Sequence, residues 1–140
     1  MKDELIFQTN AQFESVMPEK SATSWHFAFA GKIGLATEGL WRLLENGEIK
    51  FVSDDDGHQF GLPKPLDLVG ELTKKLSGKS LLEIKVERDT SDLILSLTSG
   101  IQLEVFISSG GYETYNFSLE NKNYIGMGSG GVTIIPDTKN

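Results

Sequence analysis

The sequence predicts an α+β fold in which one main helix packs on one face of an antiparallel β-sheet of six to eight strands. Three observations predict it: apolar and polar residues alternate in several short segments, an Asn-Gly pair separates two of these segments, and only one segment has helical periodicity. The later segments are joined by connections too short for crossover helices, which favours antiparallel pairing. We expect a single domain over residues 1–140, with an irregular lead-in at residues 1–22, a short helix near residues 10–17 and a tail at residues 136–140.

The first half of the chain predicts a strand and a hairpin. From Trp25 to Ala30 the aromatic residues alternate with other residues, the period of two that is typical of a strand with one large-residue face. Residues 40–44 and 48–52 are two apolar runs that flank Glu45-Asn46-Gly47. Asn-Gly at this position suits a tight hairpin turn, because both residues tolerate the left-handed backbone conformation.

The one helix is predicted after residue 65. Pro65 suits a first helical turn, Gly78 suits the position just past a helix end, and most apolar residues between them are spaced three or four apart. The remaining apolar runs predict a meander followed by three further strands. These predicted strands cover residues 82–86, 93–98, 101–107, 112–119, 124–127 and 132–135. We expect the helix to cover one face of the sheet.

The composition excludes several classes of function. Twenty Asp and Glu residues against thirteen Lys and Arg give a net charge of −7, so nucleic acid is not an expected partner. The absence of cysteine excludes disulfides, Cys-ligated zinc and thiol catalysis. The first residues lack the apolar core of a signal peptide, and no apolar run approaches the length of a membrane helix. We therefore expect a cytoplasmic protein that does not enter the membrane.

One motif suggests a dinucleotide cofactor and another suggests a metal ion, but neither fits the sequence pattern that such a binding site requires. The segment Gly126–Gly131 matches G-x-G-x-x-G, but the nine residues after it leave no room for the helix that holds a pyrophosphate, so we interpret it as a glycine turn. Asp54-Asp55-Asp56-Gly57 resembles a calcium loop. Aligning the glycines places Val52 and Pro63 at the first and last ligand positions, where neither supplies a side-chain oxygen. We predict no cofactor and no metal site, and we interpret the aspartates as a solvated loop that caps or steers.

Catalysis would have to use one of the two histidines. Alternation puts His26 opposite the aromatic face of its strand, as a partly exposed structural residue. His58 follows the three aspartates and would need Asp56 and a serine to act in a small hydrolase or ligand-binding protein, but no convincing nucleophile accompanies it. We therefore predict no catalytic residues.

The segment 108–115 is the one most suggestive of recognition. Its two serines and two glycines predict a loop or bulge between strong strands, and Tyr112, Glu113 and Tyr115 follow them. Tyrosine supplies a large contact area at low entropic cost, so a recognition surface is one interpretation. A hairpin turn with core aromatic residues is the other.

Five short motifs between residues 35 and 131 carry a resemblance. They are Leu40-Trp41-Arg42-Leu43, Phe60-Gly61-Leu62-Pro63, Leu103-Glu104-Val105-Phe106, Ser108-Ser109-Gly110-Gly111-Tyr112-Glu113 and Gly128-Ser129-Gly130-Gly131. Together they resemble a family of small bacterial domains of uncharacterised function. Small domains of this style resemble the immunity proteins encoded beside bacterial toxins, which implies a protein that neutralises a cognate toxin by direct binding.

Three hypotheses follow for the function. The first is an immunity-type protein that binds a basic toxin domain, with a partner-binding surface of charged rim residues and aromatic anchors. We predict these partner-binding residues to be Asp54, Asp55, Asp56, Tyr112, Glu113 and Tyr115. The second is a structural or adaptor module that forms a homo-oligomer, such as a homodimer, through a sheet edge or an aromatic face. The third is the hydrolase or ligand-binding protein that would use His58.

Overall fold

The computed structural model of the protein describes residues 4–18, 24–108, 110, 112–128 and 130–136. In these ranges the chain forms eleven β-strands and one α-helix. In chain order they are β1 (Leu5–Pro18), β2 (Trp25–Phe29), β3 (Ile33–Thr37), β4 (Trp41–Glu45), β5 (Glu48–Val52), α1 (Leu68–Leu76), β6 (Ser80–Val86), β7 (Leu93–Leu97), β8 (Ile101–Val105), β9 (Tyr115–Leu119), β10 (Lys122–Met127) and β11 (Gly131–Pro136). The strands form one sheet in the order β11-β10-β9-β3-β2-β1-β6-β7-β8-β4-β5.

The predicted α+β fold is wrong, because the protein is mostly β. The sheet has eleven strands rather than six to eight, and α1 is a single short helix of nine residues rather than a layer over one face. Two strands that the sequence did not predict, β1 and β3, lie near the centre of the sheet. They connect strands that the sequence predicted only as separate local groups.

Strand β1 replaces most of the predicted irregular lead-in and the short helix near residues 10–17. Phe7, Thr9, Ala11 and Phe13 alternate with more exposed polar residues, as in a half-buried strand. The alternation gave a weak signal because two of the inward residues, Thr9 and Ala11, are small. Residues 1–3 and 19–23 of the expected lead-in and residues 137–140 of the expected tail lie outside the described residues, and Pro136 ends β11.

The sheet folds over on itself at β1. Register shifts bend this strand, so that residues 5–12 pair with β6 and residues 13–18 pair with β2. Strands β2 and β4 are five places apart in the order, which corresponds to roughly 24 Å in a flat sheet. The Trp41 ring of β4 nevertheless packs edge to face against Trp25 and Phe27 of β2, with centroids 5.2 and 5.5 Å apart. The two halves of the sheet therefore cover each other, with the apolar core between them.

Helix α1 begins at Leu68 rather than at Pro65. The Asp67 carboxylate accepts a hydrogen bond from the Gly70 N–H at 3.2 Å, which makes Asp67 the N-cap. The three buried leucines of the helix repeat every fourth residue, so α1 adds one apolar stripe to the core beside β1. None of the helical segments described is long and apolar enough to cross a membrane.

The predicted hairpin and meander are confirmed. Strands β4 and β5 pair around Asn46 and Gly47, whose φ angles of 52° and 82° are left-handed. Strands β6, β7 and β8 form the meander, and β9, β10 and β11 are the three strands that follow it. The pairings between neighbouring strands are antiparallel, as the short connections predicted.

Candidate functional site

The link Glu38–Leu40 carries the chain from β3 in one half of the sheet to β4 in the other. The Glu38 N–H donates a hydrogen bond to the Thr114 carbonyl at 2.8 Å, and the Phe106 N–H donates to the Leu40 carbonyl at 3.0 Å. Gly39 lies between these bonds, where a Cβ atom would overlap the Thr114 side chain and lie 2.7 Å from the Phe106 carbonyl oxygen. The link is therefore packed against both ends of the 106–114 segment.

The acidic loop after β5 is fixed to Trp41, the residue that follows this link. The Trp41 N–H donates a hydrogen bond to Ser53 Oγ at 3.1 Å, and Ser53 begins the 3-10 turn Ser53–Asp55. Glu38 and Trp41 are three residues apart, which is at most about 11 Å of extended chain. The loop that carries Asp54, Asp55 and Asp56 and the segment that carries Tyr112, Glu113 and Tyr115 are therefore held at one corner of the molecule.

We call this surface the acidic corner and define it by five residues: Glu38, Asp54, Asp55, Tyr112 and Glu113. Glu38, Asp54 and Glu113 are exposed and Asp55 is half-buried. Tyr112 is 80% exposed. Four carboxylates and an exposed aromatic ring lie on these adjoining segments, and the electric field of such acidic groups extends over a distance set by the ionic strength.

Asp56 has a structural role in the same loop. Its Oδ1 atom accepts a hydrogen bond at 2.9 Å from the N–H of Leu68, the first residue of α1. The carboxylate thus pairs with one of the N–H groups that a helix start leaves without a partner, and it places negative charge where the helix dipole favours it. We therefore assign Asp56 to the scaffold of the loop rather than to the partner-binding surface.

Tyr115 is a core residue. It is 2% exposed, and its hydroxyl donates a hydrogen bond to the Ser91 carbonyl at 2.8 Å. Its ring fills the space beside Gly126, where any Cβ atom would overlap it. Burial raises the pKa of the Tyr115 hydroxyl, and the negative charge of Asp92 adds to the rise. The surface anchor expected at Tyr115 is therefore wrong, because alternation along β9 turns this side chain inward while Tyr112 stays outside.

The loop between β5 and α1, residues 53–67, is cross-linked by its own backbone. Two hydrogen bonds join its two ends: the Gly57 N–H donates to the Leu66 carbonyl at 2.8 Å, and the Leu66 N–H donates to the His58 carbonyl at 2.7 Å. Two more close short turns within the loop. The His58 N–H donates to the Asp55 carbonyl at 3.0 Å, and the Leu62 N–H donates to the Gln59 carbonyl at 2.6 Å. The Gln59 side-chain amide also donates to the Leu62 carbonyl at 2.8 Å. A loop constrained in this way would lose little conformational entropy on binding a ligand or a protein.

Phe60, at the tip of this loop, is a candidate binding residue that the sequence analysis did not predict. Its side chain is 65% exposed, and its φ of 44° is a conformation that bulky residues rarely adopt. The His58 ring stacks on it with centroids 5.2 Å apart, and Leu62 beside it is also exposed. An apolar ring held in solvent by a strained backbone is typical of a binding loop. The signal that could have found it is its position, since Phe60-Gly61 lies outside every strand predicted from the sequence.

The two histidines give little support to catalysis. His58 is exposed, and its ring contact is with Phe60. An exposed His58 removes the main support for the hydrolase hypothesis. His26 is half-buried on the outer face of β2, opposite the core, and lines an open depression of about 510 Å³. Its position agrees with the prediction of a partly exposed residue opposite the aromatic face.

Gly130, in the glycine-rich segment after β10, lies in a tight turn. The Gly130 N–H donates a hydrogen bond to the Met127 carbonyl at 3.2 Å, and Gly130 has a φ of 85°. A Cβ atom on Gly130 would lie 2.5 Å from the Asp89 carbonyl oxygen, so glycine is needed for close packing as well as for the turn. Across the residues that the structure describes, no three His, Cys, Asp or Glu side chains are grouped so as to hold a metal ion.

Comparisons of the chain with protein-family models, with curated proteins and with solved structures found no match. The role of the acidic corner is therefore inferred from its own residues and geometry.

Proposed function

We propose that the protein is a cytoplasmic immunity-type protein that neutralises a cognate basic toxin domain by binding it through the acidic corner. The observation that carries this proposal is the meeting of two loops at residues 38–41, where Thr114 is hydrogen-bonded to Glu38 and Ser53 is hydrogen-bonded to Trp41. The motif resemblance supports it, because the Phe60-Gly61-Leu62-Pro63 motif and the serine-glycine-tyrosine motif belong to these same two loops.

Electrostatic attraction is the first step of the proposed binding. A surface that carries Glu38, Asp54, Asp55 and Glu113 on a chain of net charge −7 raises the local concentration of a basic partner and speeds its association. A toxin domain with a basic active site, such as one that cleaves nucleic acid, has the complementary charge. Covering that site would block its substrate directly.

Aromatic contacts are the second step. Tyr112 stands at the acidic corner, and Phe60 is joined to it through the His58 N–H bond to the Asp55 carbonyl and the stacking of His58 on Phe60. Exposed aromatic residues in an interface are typical hot spots, since they bury a large area with few rotatable bonds. We therefore assign the rim to the carboxylates and the anchors to Tyr112 and Phe60.

The product of the neighbouring reading frame provides the test of this function. We expect it to arrest growth when it is expressed alone, and we expect co-expression of this protein to restore growth through a stable complex. The Asp54→Asn/Asp55→Asn variant should rescue growth poorly. The Glu14→Gln/Glu120→Gln variant removes two charges from other exposed positions and should rescue fully. A harmless neighbour, or rescue without a complex, would contradict the proposal.

A further inference from the structure

One row of apolar side chains crosses the half of the sheet that ends in β11, with one residue on each strand. The register pairs Val16 with Phe27, Phe27 with Leu35, Leu35 with Phe117, Phe117 with Tyr124 and Tyr124 with Ile134. The Tyr124 ring stacks on Phe117 with centroids 4.6 Å apart, and Phe7 of β1 packs against both rings. The row is thus a central layer of the core in this half.

The row is buried on every strand except the last. Its first five members expose at most 5% of their surface, whereas Ile134 exposes 50%. Ile135, on the opposite face of β11, exposes 45%. Within the described residues, no strand pairs with the outer edge of β11. The core therefore extends to the edge of the sheet and ends there in solvent.

Apart from Pro136 at its end, strand β11 lacks the features that protect a sheet edge. Its six residues, Gly131–Pro136, include no charged side chain, and its ladder with β10 continues without a bulge. The opposite edge, β5, carries Glu48 and Lys50 in an ion pair of 3.0 Å, and its ladder is interrupted between Leu43 and Leu44. Pro136 removes one N–H donor at the end of β11 but leaves the preceding residues able to pair.

We propose that β11 is a homodimer interface, in which the outer edges of two copies pair antiparallel about a two-fold axis. An antiparallel strand pair is self-complementary under a two-fold rotation, so the same strand provides both sides of the contact. In this pairing the inner faces of the two sheets lie on the same side. The apolar row that ends at Ile134 then continues into the row of the second copy, and both half-exposed isoleucines become covered.

The dimer is weak, and salt strengthens it. A single strand pair buries less area than the roughly 1,600 Å² of a standard interface, so we expect a weak dimer with a dissociation constant on the order of 100 µM. Each copy carries a net charge of −7, so the two copies repel each other and added salt reduces the repulsion. Binding of a basic partner at the acidic corner has the opposite salt dependence, which separates this proposal from the proposed function.

Sedimentation equilibrium of the full chain tests the interface. Between about 10 µM and about 1 mM, we expect the weight-average mass of the wild type to rise from 15.4 kDa toward twice that value. Ile134→Lys places a charge on the edge and should hold the mass at 15.4 kDa. Ile49→Lys is the matched control on β5, because Ile49 is 48% exposed, and it should dimerise like the wild type.

Three results would overturn the interface: a wild type that stays at 15.4 kDa throughout, an Ile134→Lys variant that dimerises normally, or species that grow beyond the dimer. Circular dichroism checks that the variants remain folded.

Amide hydrogen exchange of the wild type is a second measurement that needs no variant. The exchange of β11 amides should slow as the protein concentration rises, and exchange independent of concentration would also overturn the proposal.

Discussion

The acidic corner and the β11 edge are two surfaces of one folded sheet, and they are built in opposite ways. At the corner, exposed carboxylates lie on segments held by hydrogen bonds, and the large apolar residues behind them, such as Trp41, are buried. At the edge, the strand is uncharged and the apolar core reaches solvent at Ile134. The two proposals follow from this difference: charge complementarity would suit the corner to a basic protein, whereas self-complementary strand pairing would suit the edge to a second copy.

The largest expected effect distinguishes the inside of the apolar row from its end. Phe117→Ala should lower the free energy of unfolding by about 3–5 kcal/mol, because it leaves a cavity in the aromatic layer. Ile134→Ala should cost less than about 1.5 kcal/mol, since half of that side chain is already in water. Urea unfolding at low protein concentration measures both values. Equal losses would show that the edge is as buried in solution as the centre of the row.

Glycine substitutions compare the packing of the two surfaces. Gly39→Ala should destabilise the protein by about 1–3 kcal/mol, because the new methyl group meets the Thr114 side chain and the Phe106 carbonyl. Gly131→Ala on β11 should change the stability by less than about 0.5 kcal/mol, since nothing lies within 4 Å of its Cβ position. Thermal unfolding of both variants tests this. A neutral Gly39→Ala would mean that the corner is loosely packed.

Within the acidic loop, the aspartates divide into scaffold and surface. Asp56→Ala should lower the free energy of unfolding by about 1 kcal/mol, because it removes the acceptor for the Leu68 N–H at the start of α1. Asp54→Ala should leave stability within about 0.5 kcal/mol of the wild type. Chemical denaturation of the two variants provides the measurement. Equal effects would remove the reason for excluding Asp56 from the partner-binding surface.

Tyr115, behind the corner, links stability to alkaline pH. The pKa of Tyr115 is higher in the folded state than the ordinary value of 10.0. The stability that its protonated hydroxyl contributes is therefore complete below pH 10.0 and is lost as the pH rises above that value. Tyr115→Phe should cost about 1 kcal/mol near neutral pH by removing the hydrogen bond to the Ser91 carbonyl. It should also make the alkaline decline of stability shallower. A decline as steep as in the wild type would point to another group.

The parts of the fold that were predictable are those set by neighbours in the chain. The β4–β5 hairpin follows from Asn46-Gly47, and the β6–β8 meander follows from alternation and short turns. Strand β1 was not predictable because its partners, β2 and β6, include one far along the chain and because two of its inward residues are small. The folding of the sheet onto itself depends on these distant pairings, which the sequence does not reveal. A helix layer therefore appeared necessary to cover the apolar face of the sheet, although the two halves of the sheet cover each other.

The candidate site was predicted in part for similar reasons. An acidic run and a glycine-flanked Tyr112 are local signals of exposed loops, and both are exposed at one corner. Tyr115 lies on the same face of β9 as Phe117 and Leu119, so alternation along the strand was a signal for its inward position. The nearness of Tyr115 to the loop outweighed that signal. The role of Asp56 depends on a contact with Leu68 twelve residues away, which no local pattern reveals.

The association rate between this protein and the product of the neighbouring reading frame, measured by stopped flow at low and high salt, tests the role of the acidic corner most directly. We expect the wild-type rate to fall about tenfold or more as salt is added. The Asp54→Asn/Asp55→Asn variant should associate more slowly at low salt and respond less to salt, whereas Glu14→Gln/Glu120→Gln should follow the wild type. Identical rates and salt dependences for the two double variants would contradict recognition of a basic partner by this corner.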